Sequence, residues 1–294
     1  MFNRILVTLD GSDLAERALP YAERLAEVFN SEVDLVEVCE HKDREHRHMY
    51  QLYTEKIADL VRNRLKKAGS TAKVSPVVLD GEPATEIIDY AEKNSISLVV
   101  MATHGRSGIM LWAMGSIAHK VLYRISVPIL LIRAKVSTLK ECKGKIFSKI
   151  IVLLDGSETG EAVLPYVREL AEKLESEVVL LQVVASGKHV HTIGGLDHVR
   201  FTEQHMESMK TEARQYLEKV GIKLKGTGTI IKPEVKVGDA AHEIIKFTDE
   251  THACLVAMST HRHPGIIGEW VSGSVTHKVL HSGNSHVLLV RAPG

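Results

Sequence analysis

The chain has 294 residues, with 37 basic and 37 acidic side chains, 16 histidines and three cysteines. That length predicts about two domains, each able to bury a core. A formal net charge of zero excludes a strongly basic nucleic-acid binder and a long acidic tail, and 5% aromatic content excludes a base-stacking platform.

Read along the chain, apolar runs alternate with amphipathic stretches. Ile5 to Leu9 reads as a strand buried on both faces. Leu14, Ala18, Leu19, Ala22, Leu25 and Ala26 then recur at helical spacing, with Ser12 or Asp13 as cap and Pro20 as a kink inside the helix. Val33 to Val38 is a second strand and Tyr50 to Ala68 a second helix. Val74 to Leu79, Ala84 to Glu92, Leu98 to Ala102, Gly115 to Tyr123 and Ile129 to Ile132 continue the alternation. Five strands with intervening helices predict an α/β fold with a parallel, doubly wound sheet. Glu40 to Arg47 and Ala185 to Val199 read as mobile loops.

The same series then begins again. Arg4 to Glu27 returns as Lys149 to Glu172, with 13 of 24 aligned positions identical. Asp80 to Ile88 returns as Val237 to Ile245, Met101 to Ile109 as Met258 to Ile266, and Gly115 to Leu122 as Gly273 to Leu280. Four matching blocks in one order mark a duplicated domain. The expected division is 1–136 and 148–294, joined by a lysine-rich linker at 137–147.

Cys39, Cys142 and Cys254 stand apart with no C-x-x-C pair, so neither a disulfide framework nor a cysteine zinc site is expected. No apolar run approaches the roughly 18–20 residues of a membrane helix. The first residues, Met1 to Ile5, run into a strand without the layout of a signal peptide. A cytoplasmic protein is expected, without a membrane or nucleic-acid partner.

In an open parallel sheet, ligands bind beyond the carboxyl ends of the strands. Three elements fall there: Asp10-Gly11-Ser12 after strand 1, Val38 at the end of strand 2, and Thr103-His104-Gly105-Arg106-Ser107-Gly108 after strand 4. A helix then opens at Gly115-Ser116. Glycines let backbone approach an anion, and a helix N-terminus offers free N–H groups and a favourable dipole. Asp10 is placed to accept from a ribose or an adenine amino group. The same D-G-S sequence is also good turn-and-cap chemistry.

These motifs, with the closing Val127-Pro128-Ile129-Leu130-Leu131-Ile132-Arg133, resemble the universal stress protein family, and the two copies resemble its tandem members. The resemblance implies two Rossmann-like five-stranded domains of the adenine nucleotide alpha hydrolase-like type, forming an internal pseudo-dimer. It also implies strand order 3-2-1-4-5 and pairing through the last strands, Ile129 to Arg133 and Val287 to Arg291. The family's nucleotide-binding branch is described by G-x-x-G-x9-G-[S/T]. Copy one reads Ala102-x-x-Gly105-x9-Gly115-Ser116. By position, Asp10 and the backbone of Val38 would contact adenine or ribose. Gly105, Gly115, Ser116 and Ile117 would surround the phosphates of ATP or AMP, with Mg2+ as a companion ion.

Copy two departs further. Ser259 and Arg262 replace the two glycines, while Gly273-Ser274 remain, followed by Val275; Asp155 and Val183 keep the other half. Binding is therefore expected in domain 1 more than in domain 2. The implied function is a nucleotide-responsive stress or growth regulator, in a homo-oligomer and with a protein partner, rather than a fast enzyme. The alternatives are a nucleotide-free interaction protein and a slow ATP hydrolase. No G-x-S-x-G elbow, P-loop or G-x-G-x-x-G is present. His189-x-His191 and His261-x-His263 lack the further ligands of a metal site.

Overall fold

The computed structural model describes residues 1–103, 114–133, 146–192, 195–225, 229–260 and 275–292, with backbone alone over 188–200. The chain forms two compact units: Met1–Ser137 with His286–Arg291, and Thr138–Ser285 with Ala292–Gly294. No described helix is long and apolar enough to cross a membrane.

The first unit contains β1 (Arg4–Leu9), β2 (Glu32–Cys39), β3 (Val74–Asp80), β4 (Leu98–Ala102) and β5 (Ile129–Ile132). They lie in the order β3-β2-β1-β4-β5, all parallel, which is the arrangement the resemblance implies. Ile5, Leu6 and Val7 are fully buried, as expected of a central strand covered on both faces. Each such side chain contributes about 1.5–3 kcal/mol of burial. The last strand of the second repeat, β12 (His286–Arg291), belongs to this unit, and runs antiparallel to β5 with Leu288 opposite Leu130. That is the pairing of last strands expected above.

The helices are α1 (Asp13–Glu16), α2 (Leu19–Phe29), α3 (Arg47–Lys67), α4 (Pro83–Lys93) and α5 (Ser116–Arg124). The single kinked helix expected over Leu14 to Ala26 is two helices. Pro20 sits in the first turn of α2, where its missing N–H leaves no bond unmade. Leu19, Ala22, Leu25 and Ala26 form the buried stripe, and Asn30 ends the helix in the left-handed conformation.

The second unit repeats the plan with β6 (Lys149–Leu153), β7 (Glu177–Val184), β10 (Ile231–Val237) and β11 (Leu255–Thr260), in the order β10-β7-β6-β11. Its helices are α6 (Glu158–Glu161), α7 (Leu164–Leu174), α8 (Glu203–Leu224), α9 (Ala240–Glu250) and α10 (Val275–Ser282).

Both segments expected as loops carry regular structure. His41–His46 is a 3-10 helix, and the Asp43 carboxylate within it accepts from the Tyr50 hydroxyl at 3.2 Å. Gly187–Thr192 (β8) and Gly195–Arg200 (β9) form an antiparallel hairpin, whose ladder supplies backbone partners that a loop would lack. Cys39 is buried and free, whereas Cys254 is disulfide-bonded. The disulfide at Cys254 departs from the sequence reading, which expected no disulfide framework.

Candidate functional site

In each unit the site begins with a turn built by one aspartate. Asp10 Oδ1 accepts from the Ser12 N–H at 3.0 Å and from the Ser12 hydroxyl at 2.6 Å. Ser12 Oγ in turn accepts from the Ala15 N–H at 3.2 Å and caps α1. Gly11 between them has φ 76°, a left-handed conformation that glycine takes without strain. Asp155, Gly156 and Ser157 repeat the geometry, with bonds of 3.0 and 2.6 Å and a Gly160 N–H at 2.9 Å. The turn-and-cap role of D-G-S is therefore real in both copies, and it fixes the carboxylate at the sheet's carboxyl edge.

The second wall comes from β4. The Thr103 N–H donates to the Ile132 carbonyl at 2.9 Å, and the Thr103 carbonyl accepts from the Gly115 N–H at 2.8 Å. These bonds bring the start of α5 back beside the end of β4. Gly115 caps that helix without a side chain, and no acidic residue occupies its first turn. The leading N–H groups of a helix have no partner within it and carry the positive end of its dipole.

Between the two walls lies a cavity of about 320 Å³. Of the seven residues predicted for the first site, Asp10, Val38, Ala102, Gly115, Ser116 and Ile117 line it, and Gly105 lies outside the described residues. Pro83 and Ile87 of α4 add an apolar side, and Tyr50 of α3 another. A volume of this size is at the lower end of small-molecule sites.

Sequence reasoning missed Glu37. It lines the cavity while only 2% exposed, and its Oε2 lies 3.0 Å from Thr54 Oγ1 of α3. A carboxylate inside an apolar strand, Val33 to Cys39, was the available signal. Asp34, on the opposite face of the same strand, is structural: it accepts from Arg4 Nε at 2.9 Å and from the Tyr90 hydroxyl at 3.2 Å.

At the rim, Glu82 caps α4 by accepting from the Thr85 N–H at 2.8 Å and pairs with Lys120 of α5 at 3.0 Å. Partial burial disfavours the charged carboxylate. The hydrogen bonds from Thr85 and Lys120 outweigh it and bring the group down to about 2. The second unit places Asp239 and Lys278 in the same roles, 3.9 Å apart.

In that unit a cavity of about 280 Å³ is lined by Asp155, Val183, Ser259 and Val275 from the prediction, whereas Gly273 and Ser274 lie outside the described residues. Ser259 is engaged locally: its hydroxyl is hydrogen-bonded to the carbonyls of Thr159 and Gly160, the latter at 2.9 Å. Ala102 in the first unit leaves that position without a polar group. His104, Arg262, His261 and His263 also lie outside the described residues, as do the side chains of His189 and His191.

Comparison with known proteins gives a consistent answer. The model of the universal stress protein family matches residues 1–133 and again 147–291. Universal stress protein YxiE of Bacillus subtilis is 31% identical over 152 residues, which is all of that protein and 45% of this chain. Universal stress protein MJ0531 of Methanocaldococcus jannaschii is 29% identical over 141 residues, covering 83% of that protein and 45% of this chain. The crystal structure of a universal stress protein from Archaeoglobus fulgidus shares the fold along the whole length. It has a TM-score of 0.71 at 19% identity and covers 99% of both chains. The duplicated motifs, the strand order and two successive family matches place the chain in the universal stress protein family, with two copies of the family's domain.

Proposed function

We propose that the first repeat binds an adenine nucleotide, ATP or AMP, and that the protein acts as a nucleotide-responsive regulator rather than a fast enzyme. The observation that carries this is the convergence of Asp10, the Val38 backbone and the Gly115-Ser116-Ile117 helix start on one cavity of about 320 Å³. The aspartate suits the donors of a ribose or an amino group. The helix start suits phosphate, through N–H groups rather than through lysine or arginine. In this reading Mg2+ would arrive with ATP, held by the phosphates.

Isothermal titration of ATP and AMP into wild type and Gly115→Val tests the reading. Heat in the wild type that is lost in the variant is expected. No heat from either nucleotide in the wild type would sink it.

A second reading is a nucleotide-free interaction protein, favoured by Ser259, which ties its hydroxyl to α6 in the second repeat. Mass spectrometry of the purified protein for co-purified nucleotide separates the two. Fast catalysis is not part of this reading, and an ATPase assay at background level is the expected result.

A further inference from the structure

The second strands of the two repeats lead into different connections. In the first repeat, residues 40–46 carry β2 into α3 through the 3-10 helix His41–His46. In the second, residues 185–202 carry β7 into α8 and fold back on themselves as the β8–β9 hairpin. The Phe201 N–H donates to the Ser186 carbonyl at 3.2 Å and closes its base, and Thr202 caps α8 directly afterwards. Among the described residues β8 and β9 pair only with each other. A lone two-stranded sheet is at best marginally stable in water, so this one needs a further source of order.

The register identifies that source. His189 stands directly opposite His198, and His191 opposite Leu196. Residues directly opposite each other share a face of the sheet, as do residues two apart on one strand. His189, His191 and His198 therefore share one face of the hairpin, with Gly187, Leu196 and Arg200 at its other positions, while Val190 and Asp197 belong to the opposite face. On one face of an antiparallel pair, opposite positions lie about 4.5–5.5 Å apart at Cβ and diagonal ones about 7–8 Å. Three imidazoles span that spread to a single ion held at about 2.0–2.1 Å from each nitrogen. His189-x-His191 alone offers two ligands. The third arrives from the return strand, which the spacing in the sequence conceals.

We propose that His189, His191 and His198 form a divalent transition-metal site, filled by Zn2+, that clips β8 to β9. Imidazole nitrogens suit zinc and its neighbours, whereas Mg2+ and Ca2+ take oxygen ligands. Three protein ligands leave the fourth tetrahedral position open to water or to a donor from another molecule. Because the ion joins both strands, its binding free energy adds to the stability of the hairpin. The first repeat has no hairpin in the equivalent connection and so no counterpart of this site. Nothing in it depends on nucleotide binding by the first repeat.

The test uses the full chain, stripped with a chelator, and Zn2+ alone as the probe. Calorimetric titration is expected to show one site of roughly micromolar affinity or tighter, and no heat from Mg2+. His189→Ala, His191→Ala and His198→Ala should each weaken Zn2+ by at least about tenfold. Replacing the other His-x-His pair, His261→Ala with His263→Ala, should leave the affinity unchanged. Two gain-of-ligand variants read the register without removing a histidine. Leu196→His adds a fourth imidazole to the same face and should tighten Zn2+ by at least about tenfold, whereas Asp197→His adds one to the opposite face and should not. The proposal is overturned if Zn2+ gives no heat at about 100 μM. Binding unchanged in His198→Ala would also overturn it, as would equal tightening by Leu196→His and Asp197→His.

Discussion

His286 Nε2 lies 2.7 Å from the Tyr21 hydroxyl, in a contact between residues 265 positions apart. Both side chains are buried, His286 at 1% exposure and Tyr21 at 6%, and their rings meet edge to face at 4.6 Å. The other ring nitrogen, Nδ1, accepts the Arg133 backbone N–H at 3.0 Å. The imidazole is therefore neutral, with its proton on Nε2 and directed at Tyr21. One ring joins β12, β5 and α2 of the first unit.

This makes stability pH-dependent in a defined direction. Burial first, and the nearby Arg133 second, push His286 down to about 3. The unfolded ring takes a proton near 6.5, so below that pH the unfolded state binds more protons than the folded one. Stability is complete above about pH 6.5 and falls on acidification, by up to about 1.4 kcal/mol per unit. Urea unfolding at pH 7.0 and 5.5 should show the loss, in a range where carboxylates such as Glu82 remain ionised.

His286→Leu should remove that slope while lowering stability at pH 7. It removes the ring's bonds to the Arg133 N–H and the Tyr21 hydroxyl, so a loss of about 1–3 kcal/mol is expected. The midpoint of a urea titration measures it, and an unchanged slope with pH would assign the titration to another group.

Gly81 and Gly238 hold φ of 153° and 148° at the turns into α4 and α9. An added Cβ at Gly81 would lie 2.5 Å from Glu86 Oε1, and at Gly238 it would lie 3.0 Å from Glu243 Cγ. Gly81→Ala should therefore destabilise by about 1–3 kcal/mol, and more than Gly238→Ala. Thermal melts of the two variants give the ranking.

Glu82 and Lys120 form one ion pair, but their substitutions should differ. Glu82→Ala removes the cap of α4 and is expected to lower stability by about 1 kcal/mol. Lys120→Ala removes only an exposed charge and should cost under about 0.5 kcal/mol. Equal effects would mean that the pair, not the cap, supplies the stabilisation.

Asp10→Ala should weaken ATP by at least about tenfold, while Asp155→Ala leaves the first-repeat affinity unchanged. Both variants lose the same bonds to their following serine, at 3.0 and 2.6 Å. Asp155→Ala is thus the control for a purely structural effect of the turn.

Much of this fold was legible in the sequence because its information is local. Runs such as Ile5 to Leu9 carry strand character in their side chains, and the repeated D-G-S and G-S blocks mark the strand ends and helix starts. Six described residues predicted for the first site meet in one cavity for that reason. What escaped depends on separation or on small substitutions. His286 and Tyr21 have no motif in common, and Glu37 gains its meaning only from Thr54 on another element. Pro20 looked like a helix kink because periodicity continues on both sides of it, although the backbone starts a new helix there. The hairpin at Gly187–Arg200 was hidden by glycines and histidines, which read as loop composition although the backbone pairs as a ladder.

The place of β12 has a consequence for how the protein is made. The backbone donors and acceptors along one side of Ile129–Ile132 find their partners on a strand that begins at His286. At a ribosomal rate of about 5–20 residues per second, that strand follows roughly 8–30 seconds later. Throughout that interval the nascent first half carries a bare, wholly aliphatic edge, the kind that recruits a neighbouring chain on a polysome. Slowing translation between the halves should therefore lower the soluble yield of the first half's core, although no residue in it has changed.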